Sequence, residues 1–257
     1  MKFTKMHGCG NDYVVINGVK NNVDLKKEQI AFLCTSHFGI GSEGLLIAMP
    51  SKIADFRMRM FNVDGTEAEM CGNGIRCISK FAFEEGIIAT KTATVETKAG
   101  IKNIELIFNE KEIQGVKVNM GKATFLANPA TEYELNCVSV GNPHAVIIVD
   151  DIENFPVHEL GPKIENHTGF PNRTNVEFVK IVDRKNVILR VWERGCGETF
   201  ACGTGSCATV ATLYKLNLID NECTVKLKGG DLKIEIINDE IFMTGNATTV
   251  FDGNITL

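Results

Sequence analysis

Two short stretches organise this sequence: CGNGIRC at residues 71–77 and CGTGSCA at residues 202–208. Both begin with Cys-Gly-x-Gly, and their first cysteines lie 131 residues apart in a chain of 257. The same offset aligns further residues without a gap: Glu67 with Glu198, Arg59 with Arg190, and Gly10-Asn11 with Gly141-Asn142. The sequence therefore indicates an internal duplication, because its period is far longer than the roughly 20–50 residues of a solenoid repeat.

Each copy has the same predicted order of elements. Short strands precede the cysteine segment, a helix begins directly after the cysteine (72–84 and 203–216), and further strands follow. This order predicts an α+β fold of two pseudo-symmetric domains, each a β-rich sheet or barrel around a central helix. We predict the domains at residues 1–118 and 119–257. The final strand could pack against the first domain. The active site is expected in the cleft between them.

The composition excludes several classes of protein. A net charge of −5 argues against a nucleic-acid partner, which would require a basic face. No apolar run approaches the roughly 18 residues that a membrane span needs, and residues 1–13 lack the apolar core of a signal peptide. We therefore expect a cytoplasmic protein whose partner is a small molecule, with no nucleic acid and no membrane.

The nine cysteines do not form an obvious framework. An odd number without a secretion signal disfavours disulfides, and the absence of C-x-x-C disfavours a zinc ribbon. Cys34, Cys137 and Cys223 are predicted to be small buried residues. Cys71 and Cys202 differ from these, because each precedes a glycine at the start of a predicted helix.

A cysteine at a helix start can carry out acid–base chemistry. The positive end of the helix lowers the pKa of a thiol, and its unpaired N–H groups bind a carboxylate, which glycine allows to approach closely. Two such helix ends facing each other would hold one α-carboxylate and leave a sulfur on each face of the α-carbon. One thiolate could then remove the α-hydrogen while the opposing thiol protonates the other face. Cys71 and Cys202 are thus predicted to be the catalytic pair of a cofactor-free racemase or epimerase.

Glycine-flanked cysteines and glycine-rich segments also admit other interpretations. Taken singly, a glycine-flanked cysteine is more often a packing residue, and two facing thiols could also form a redox pair. Residues 39–44 match G-x-G-x-x-G, but they follow a helix-like stretch and open a strand, the reverse of the order in a dinucleotide site. We predict a turn there. No lysine lies in a recognisable Schiff-base motif, so pyridoxal chemistry has no support.

Longer segments resemble a known family. FNVDGTEAEMCGNGIRC (61–77) and VWERGCGETFACGTGSCA (191–208) are similar to the two signature regions of the diaminopimelate epimerases. HGCGNDYVVI (7–16), FGIGSEGLLI (38–47), GNPHAV (141–146) and FPNRTNVEFV (170–179) resemble the family's other motifs in the right order. The resemblance covers essentially the whole chain. It implies interconversion of LL- and meso-2,6-diaminopimelate without cofactor or metal, on the way to lysine and peptidoglycan, by a homodimer.

The resemblance also implies a role for each matching residue. Cys71 would act on the LL isomer and Cys202 on the meso isomer, while His144 and Glu193 would tune the pKa of the two thiols. The reacting carboxylate would be held by Gly72, Asn73, Gly203 and Thr204. The distal amino-acid group would be bound by Asn11, Asn62, Asn142, Asn175, Glu193 and Arg194.

Two alternatives remain open at this point. A related two-cysteine racemase would act on proline, hydroxyproline or histidine, although proline-type enzymes tend to have His where this chain has Asn73. A protein of another class would use its thiols to bind metal or to sense redox state, without catalysis. One departure from the family is Gly44, the offset partner of Asn175, where some relatives carry a polar side chain.

Overall fold

The structure, a computed structural model, describes residues 1–21 and 23–257. The chain divides into two compact units. The first contains Met1–Val118 together with Gly245–Leu257, and the second contains Asn119–Thr244. The second unit is therefore one continuous segment, whereas the first is assembled from both ends of the chain.

The first unit contains two helices, α1 (Lys27–Cys34) and α2 (Gly72–Glu84). Its strands are β1 (Lys2–Gly8), β2 (Asn11–Asn17), β3 (Gly44–Met49), β4 (Phe56–Asn62), β5 (Glu67–Ala68), β6 (Thr92–Thr97), β7 (Gly100–Asn109), β8 (Glu112–Gly121) and β18 (Thr248–Asn254). Neighbouring strands follow the order β18, β1, β2, β3, β4, β6, β7, β8. The β2–β3 and β4–β6 pairs are parallel and the others are antiparallel.

The second unit contains the helices α3 (Val157–Glu165) and α4 (Gly203–Lys215). Its strands are β9 (Thr124–Phe125), β10 (Asn136–Ser139), β11 (Pro143–Ile148), β12 (Asn175–Asp183), β13 (Asn186–Glu193), β14 (Gly197–Thr199), β15 (Glu222–Leu227), β16 (Gly230–Ile237) and β17 (Glu240–Gly245). They follow the order β9, β10, β11, β12, β13, β15, β16, β17. The parallel pairs, β11–β12 and β13–β15, occupy the same places as in the first unit.

The registers of the central strands agree at the 131-residue offset, since β2–β3 and β3–β4 match β11–β12 and β12–β13. The pairs β1–β2 and β4–β6 differ by one residue from β10–β11 and β13–β15. Tyr13 pairs with Gly44 in the first unit, and at the 131-residue offset His144 pairs with Asn175 in the second. Because a slip of one residue would move every side chain to the opposite face of a sheet, this agreement means that equivalent residues have equivalent surroundings. The predicted α+β duplication is confirmed, including the helix that begins directly after each cysteine segment.

Each unit packs its strands around one buried helix. Helix α2 contacts β1–β4 and β7, and α4 contacts β10–β12, β15 and β16. In α2, eight consecutive residues from Gly72 to Ser79 are buried, which is the pattern of a helix enclosed on nearly all sides. The shorter helices α1 and α3 cover the outer face of the strands, where α1 closes a core that includes Val14, Ile30 and Leu45.

An equivalent ion pair in each unit joins the strands that lead to the cysteine. Arg59 Nε donates to Glu67 Oε1 over 2.9 Å in the first unit, and Arg190 Nε donates to Glu198 Oε1 over 2.8 Å in the second. The second pair is more buried, with Glu198 5% exposed. Burial alone would raise the pKa of Glu198, but hydrogen bonds from Arg190 and Lys228 outweigh it and lower that pKa to about 2.

We expect Glu198→Gln to destabilise the protein at neutral pH by roughly 2–3 kcal/mol, because charge-assisted hydrogen bonds are lost and Arg190 is left without its carboxylate partner. A carboxyl whose pKa is lowered on folding stabilises the protein above its unfolded pKa of about 4.5, and this contribution disappears as pH falls towards about 2. Urea unfolding at several pH values measures the difference. Glu67→Gln is the matched control, and its more exposed pair should cost less. An equal difference from the parent protein at pH 7 and pH 2 would contradict this account.

Other expectations from the sequence are met in the described residues. Cys34, Cys137 and Cys223 are buried, and burial raises the pKa of Cys137 and of Cys223 to about 11. Residues 39–44 lie between α1 and the first residue of β3, in the order that the sequence predicts. The longest helices contain 13 residues, and no helix within 1–21 and 23–257 has the length and apolarity needed to cross a bilayer.

Candidate active site

Each signature cysteine is the N-cap residue of the central helix of its unit. Cys71 precedes α2 and Cys202 precedes α4, both with extended backbone conformations. The first N–H groups of a helix have no partner within the helix, so the glycines that follow each cysteine present donors beside its sulfur. Each helix start can therefore hold an anion next to a thiol.

In the first unit, the sulfur of Cys71 is partly exposed and contacts a tyrosine. The hydroxyl of Tyr13 lies 3.1 Å from Cys71 Sγ. Tyr13 is the offset partner of His144, but only the histidine was predicted from the sequence. The internal repeat could have predicted Tyr13, because a candidate site residue in one half indicates the equivalent position in the other half.

A buried arginine fixes the first turn of α2. Arg76 is completely buried and donates to Gly72 O over 3.0 Å and to Asn73 Oδ1 over 2.9 Å. It also donates to Asn246 O over 3.2 Å. The side-chain oxygen of Asn73 is thus bound to a buried group of the protein itself.

In the second unit, the sulfur of Cys202 is buried and has two donors close to it. The backbone N–H of Gly205 donates to Sγ over 3.4 Å, and the hydroxyl of Thr204 lies 3.5 Å away. Glu193 forms a hydrogen bond with the same thiol and accepts from the Thr199 hydroxyl over 2.6 Å. Burial raises the pKa of Glu193.

The expected lowering of the thiol pKa is wrong for Cys202. Burial raises its pKa well above the usual value, and the carboxylates of Glu193 and Glu177 raise it further. The hydrogen bonds from Thr204 and Gly205 act in the opposite direction but are outweighed. The helix terminus contributes about half a charge, which is less than loss of water together with two acidic neighbours.

His144 contacts Glu177, a residue that was not among the predicted site residues. Its Nδ1 lies 2.7 Å from Glu177 Oε1, and its Nε2 lies 3.0 Å from Asn142 Oδ1. The side chains of both His144 and Glu177 are fully buried. Glu177 lies between two apolar residues in β12. A charged residue within a predicted buried strand could have indicated a functional role for it.

Of the residues predicted to bind the distal group, Asn175 and Arg194 lie together. Asn175 accepts from the Arg194 backbone N–H over 3.0 Å and donates to Pro143 O over 2.8 Å. The carboxylate of Glu165 secures the same loop by accepting from Gly195 N over 2.8 Å. The Arg194 side chain is exposed, so the loop presents a guanidinium from a fixed backbone.

In the first unit, Asn11 and Asn62 are the residues predicted to bind the distal group, and Gly44 occupies the position equivalent to Asn175. Asn11 Oδ1 is buried and has no hydrogen-bond partner among the described residues, whereas Asn62 donates to Thr66 within an exposed turn. A Cβ on Gly44 would lie 2.8 Å from Phe61 O. This close approach of two backbones explains glycine at this position, and it leaves no room for the polar side chain of some relatives.

The family model of diaminopimelate epimerase matches residues 3–126 and 136–250 of this chain. This chain belongs to the diaminopimelate epimerase family. A diaminopimelate epimerase from Methanococcus maripaludis is 45% identical to it, and the similarity covers 100% of both chains.

Solved structures share the fold of this diaminopimelate epimerase family member. A Bacillus anthracis phenazine biosynthesis protein of the PhzF family superposes with a TM-score of 0.79 at 20% identity, over 100% of this chain and 99% of the other. A hydroxyproline epimerase from Agrobacterium vitis superposes with a TM-score of 0.74 at 17% identity, over 98% and 91%. At these identities the similarity concerns the architecture alone.

Proposed function

We propose that the protein interconverts LL- and meso-2,6-diaminopimelate, without a cofactor, by a two-base mechanism in which Cys71 and Cys202 are the acid–base pair. The observation that carries the proposal is the pair of cysteines at equivalent helix starts in a full-length relative of diaminopimelate epimerases. The 45% identity favours this substrate over proline or hydroxyproline, since the hydroxyproline epimerase shares only the fold at 17%.

The two thiols have different starting roles in this mechanism. The raised pKa of Cys202 keeps it as a thiol, ready to donate a proton. Cys71 acts as the thiolate that removes the α-proton of the LL isomer, and the electron pair of the C–H bond moves towards the α-carboxylate. N–H groups at the helix starts, those of Gly72, Asn73, Gly203 and Thr204, stabilise the developing charge. Cys202 then protonates the opposite face, and it ends as the thiolate that can act on the meso isomer.

The distal amino-acid group gives the substrate its specificity in this proposal. Arg194 would bind the distal carboxylate bidentately, and Glu193 and the amides of Asn11, Asn62, Asn142 and Asn175 would supply donors and acceptors. The unpartnered Asn11 Oδ1 supports this assignment, because a ligand N–H would satisfy it. We further propose that the enzyme works in the cytoplasm as a homodimer and supplies meso-diaminopimelate for lysine and peptidoglycan.

Isotope exchange tests the function directly. The reduced protein, treated to remove metal, should incorporate deuterium at the α-carbon of LL-diaminopimelate in deuterated water and form the meso isomer. L-Proline and trans-4-hydroxy-L-proline in parallel should show no exchange. A folded, reduced protein that exchanges neither isomer of diaminopimelate would refute the assignment, and faster exchange with proline would move the protein to the racemases.

A further inference from the structure

A chain of four hydrogen-bond contacts connects Glu177 to the sulfur of Cys202. Glu177 Oε1 lies 2.7 Å from His144 Nδ1, and His144 Nε2 lies 3.0 Å from Asn142 Oδ1. Asn142 Nδ2 donates to Thr204 Oγ1 over 3.4 Å, and Thr204 Oγ1 lies 3.5 Å from Cys202 Sγ. All five residues belong to the second unit, and they lie on three elements, β11, β12 and α4, and the residues that precede them.

The orientation of the Asn142 amide sets the direction of the whole chain. Its oxygen faces His144 Nε2, so that nitrogen must carry a hydrogen. Its NH₂ group donates to Thr204, so the Thr204 hydroxyl keeps its own hydrogen for another acceptor. When Cys202 is a thiolate it has no hydrogen to donate, so the Thr204 hydroxyl is then the donor across their 3.5 Å contact. This hydrogen bond favours the thiolate form of the sulfur.

Burial determines where the remaining proton lies. With a hydrogen on Nε2, His144 contacts Glu177 either as an imidazolium beside a carboxylate or as a neutral ring beside a carboxylic acid, and both forms have zero net charge. The other arrangement, a carboxylate beside a neutral ring protonated at Nδ1, carries one negative charge in a completely buried place. Glu177 Oε2 has no hydrogen-bond partner among the described residues, so nothing there would stabilise that charge.

We propose that Glu177 is a positioning residue for Cys202: it shares one buried proton with His144, and this proton directs the chain so that Thr204 donates to the sulfur. The effect opposes that of Glu193 on β13, whose carboxylate raises the pKa of Cys202. Cys202 must become a thiolate once it has protonated the substrate, and the Thr204 donor stabilises that state. The inference rests on the proposed role of Cys202 in the reaction.

The first unit has no equivalent of this pair. Leu46 occupies the position of Glu177 and Tyr13 the position of His144, and Tyr13 contacts Cys71 Sγ directly. A Cβ on Gly74 would lie 3.3 Å from Leu46, and one on Gly205 would lie 2.7 Å from Glu177 Oε1. Position 46 and position 177 thus lie beneath the same turn of the two central helices. Cys71 is not a member of the proposed chain, so its labelling is the reference for that of Cys202.

The protonation of His144 can be read without turnover. In protein labelled with ¹⁵N-histidine, long-range ¹H–¹⁵N spectra report which ring nitrogens carry hydrogen, and His144→Gln assigns its signals among the five histidines. We expect Nε2 of His144 to be protonated in all molecules at neutral pH, and to be protonated in only a fraction of them in Glu177→Gln, since an amide can donate or accept at Nδ1. An unprotonated Nε2 in the parent protein would overturn the proposal.

The effect on the sulfur is measured by the rate at which methyl methanethiosulfonate labels Cys202 relative to Cys71, read by peptide mass spectrometry. Because the Glu177–His144 pair has no net charge, Glu177→Gln leaves the net charge near Cys202 unchanged. Only the loss of the hydrogen bond from Thr204 then affects the pKa of the thiol. Losing one hydrogen bond to a thiolate corresponds to about one pKa unit. We expect the relative rate of Cys202 to fall about threefold, since weaker acids are also better nucleophiles. An unchanged or faster rate would overturn the proposal, because a charged Glu177 would have slowed thiolate formation.

A second variant tests whether the residues act as one chain. Thr204→Val removes the terminal donor with little change of shape, so it should slow Cys202 labelling to a similar degree while leaving the His144 spectrum unaltered. The double variant Glu177→Gln/Thr204→Val should be no slower than Thr204→Val alone, and additive effects would overturn the chain. If the protein proved not to be an epimerase, these thiol and histidine measurements would stand unchanged, so the two failures are distinguishable.

Discussion

Replacing either Cys71 or Cys202 with alanine should abolish net inversion of diaminopimelate, while each variant retains hydrogen exchange with one isomer only. Cys202→Ala keeps the thiol that acts on the LL isomer, so deuterium should enter LL-diaminopimelate without formation of meso product. Cys71→Ala should exchange the meso isomer without forming LL product. Loss of a general acid or base typically lowers the rate by about 10²–10⁴-fold, and inversion requires both. Product analysis on a chiral column, with mass spectrometry of each isomer, separates exchange from inversion.

A buried thiol outside the helix starts provides the control. Cys223 on β15 is 1% exposed, and burial raises its pKa to about 11, so it takes no part in proton transfer at neutral pH. Cys223→Ala should keep most of the activity. Full turnover by either helix-start variant would mean that a single base serves both faces of the α-carbon.

Gly205→Ala should cause a large loss of activity, because the added methyl group has no free volume. Its Cβ would lie 2.7 Å from Glu177 Oε1 and 3.3 Å from Cys202 Sγ. The carboxylate cannot move away freely, since it is buried against His144. Displacing a reacting group by about 1 Å can reduce the rate about 100-fold. We expect a loss of that order in kcat, with unfolding in urea eased by about 1–3 kcal/mol.

Gly74→Ala is the matched change in the first unit. Its Cβ would approach only the end of the Leu46 side chain, at 3.3 Å, and a leucine methyl group can shift by rotation. Alanine also favours a helix over glycine by about 1 kcal/mol. The stability of Gly74→Ala should therefore stay close to that of the parent. Equal losses in both variants would show that the glycines serve the backbone alone, and not the acidic group beneath the second helix.

Local pattern and repetition allowed most of the fold to be predicted. The 131-residue offset between Cys71 and Cys202 reappears in the structure as equal registers of the central strands and as the matched ion pairs Arg59–Glu67 and Arg190–Glu198. These features are predictable because each copy repeats its own alternation of apolar and polar residues. The helix starts were predictable for the same reason, since a glycine-flanked cysteine closed each run of strands.

The environment of the thiols could not be predicted in the same way. The pKa of Cys202 depends on its burial and on Glu193 and Glu177, and residue 177 is brought beside the cysteine only by the pairing of β11 with β12. The general rule for a helix N-terminus predicts the opposite direction. Tyr13 could have been predicted from the sequence, because it is the offset partner of His144. Its contact with Cys71 could not, because the fold of the unit brings the two side chains together.

The return of β18 to the first unit affects how the chain folds as it is made. β1 forms antiparallel pairs with both β2 and β18, and the amino group of Met1 donates to Ile255 O over 2.6 Å. During synthesis, β1 emerges before β18, so one of its edges lacks this partner until the whole second unit has been translated. The second unit, being continuous, can fold while the first is incomplete.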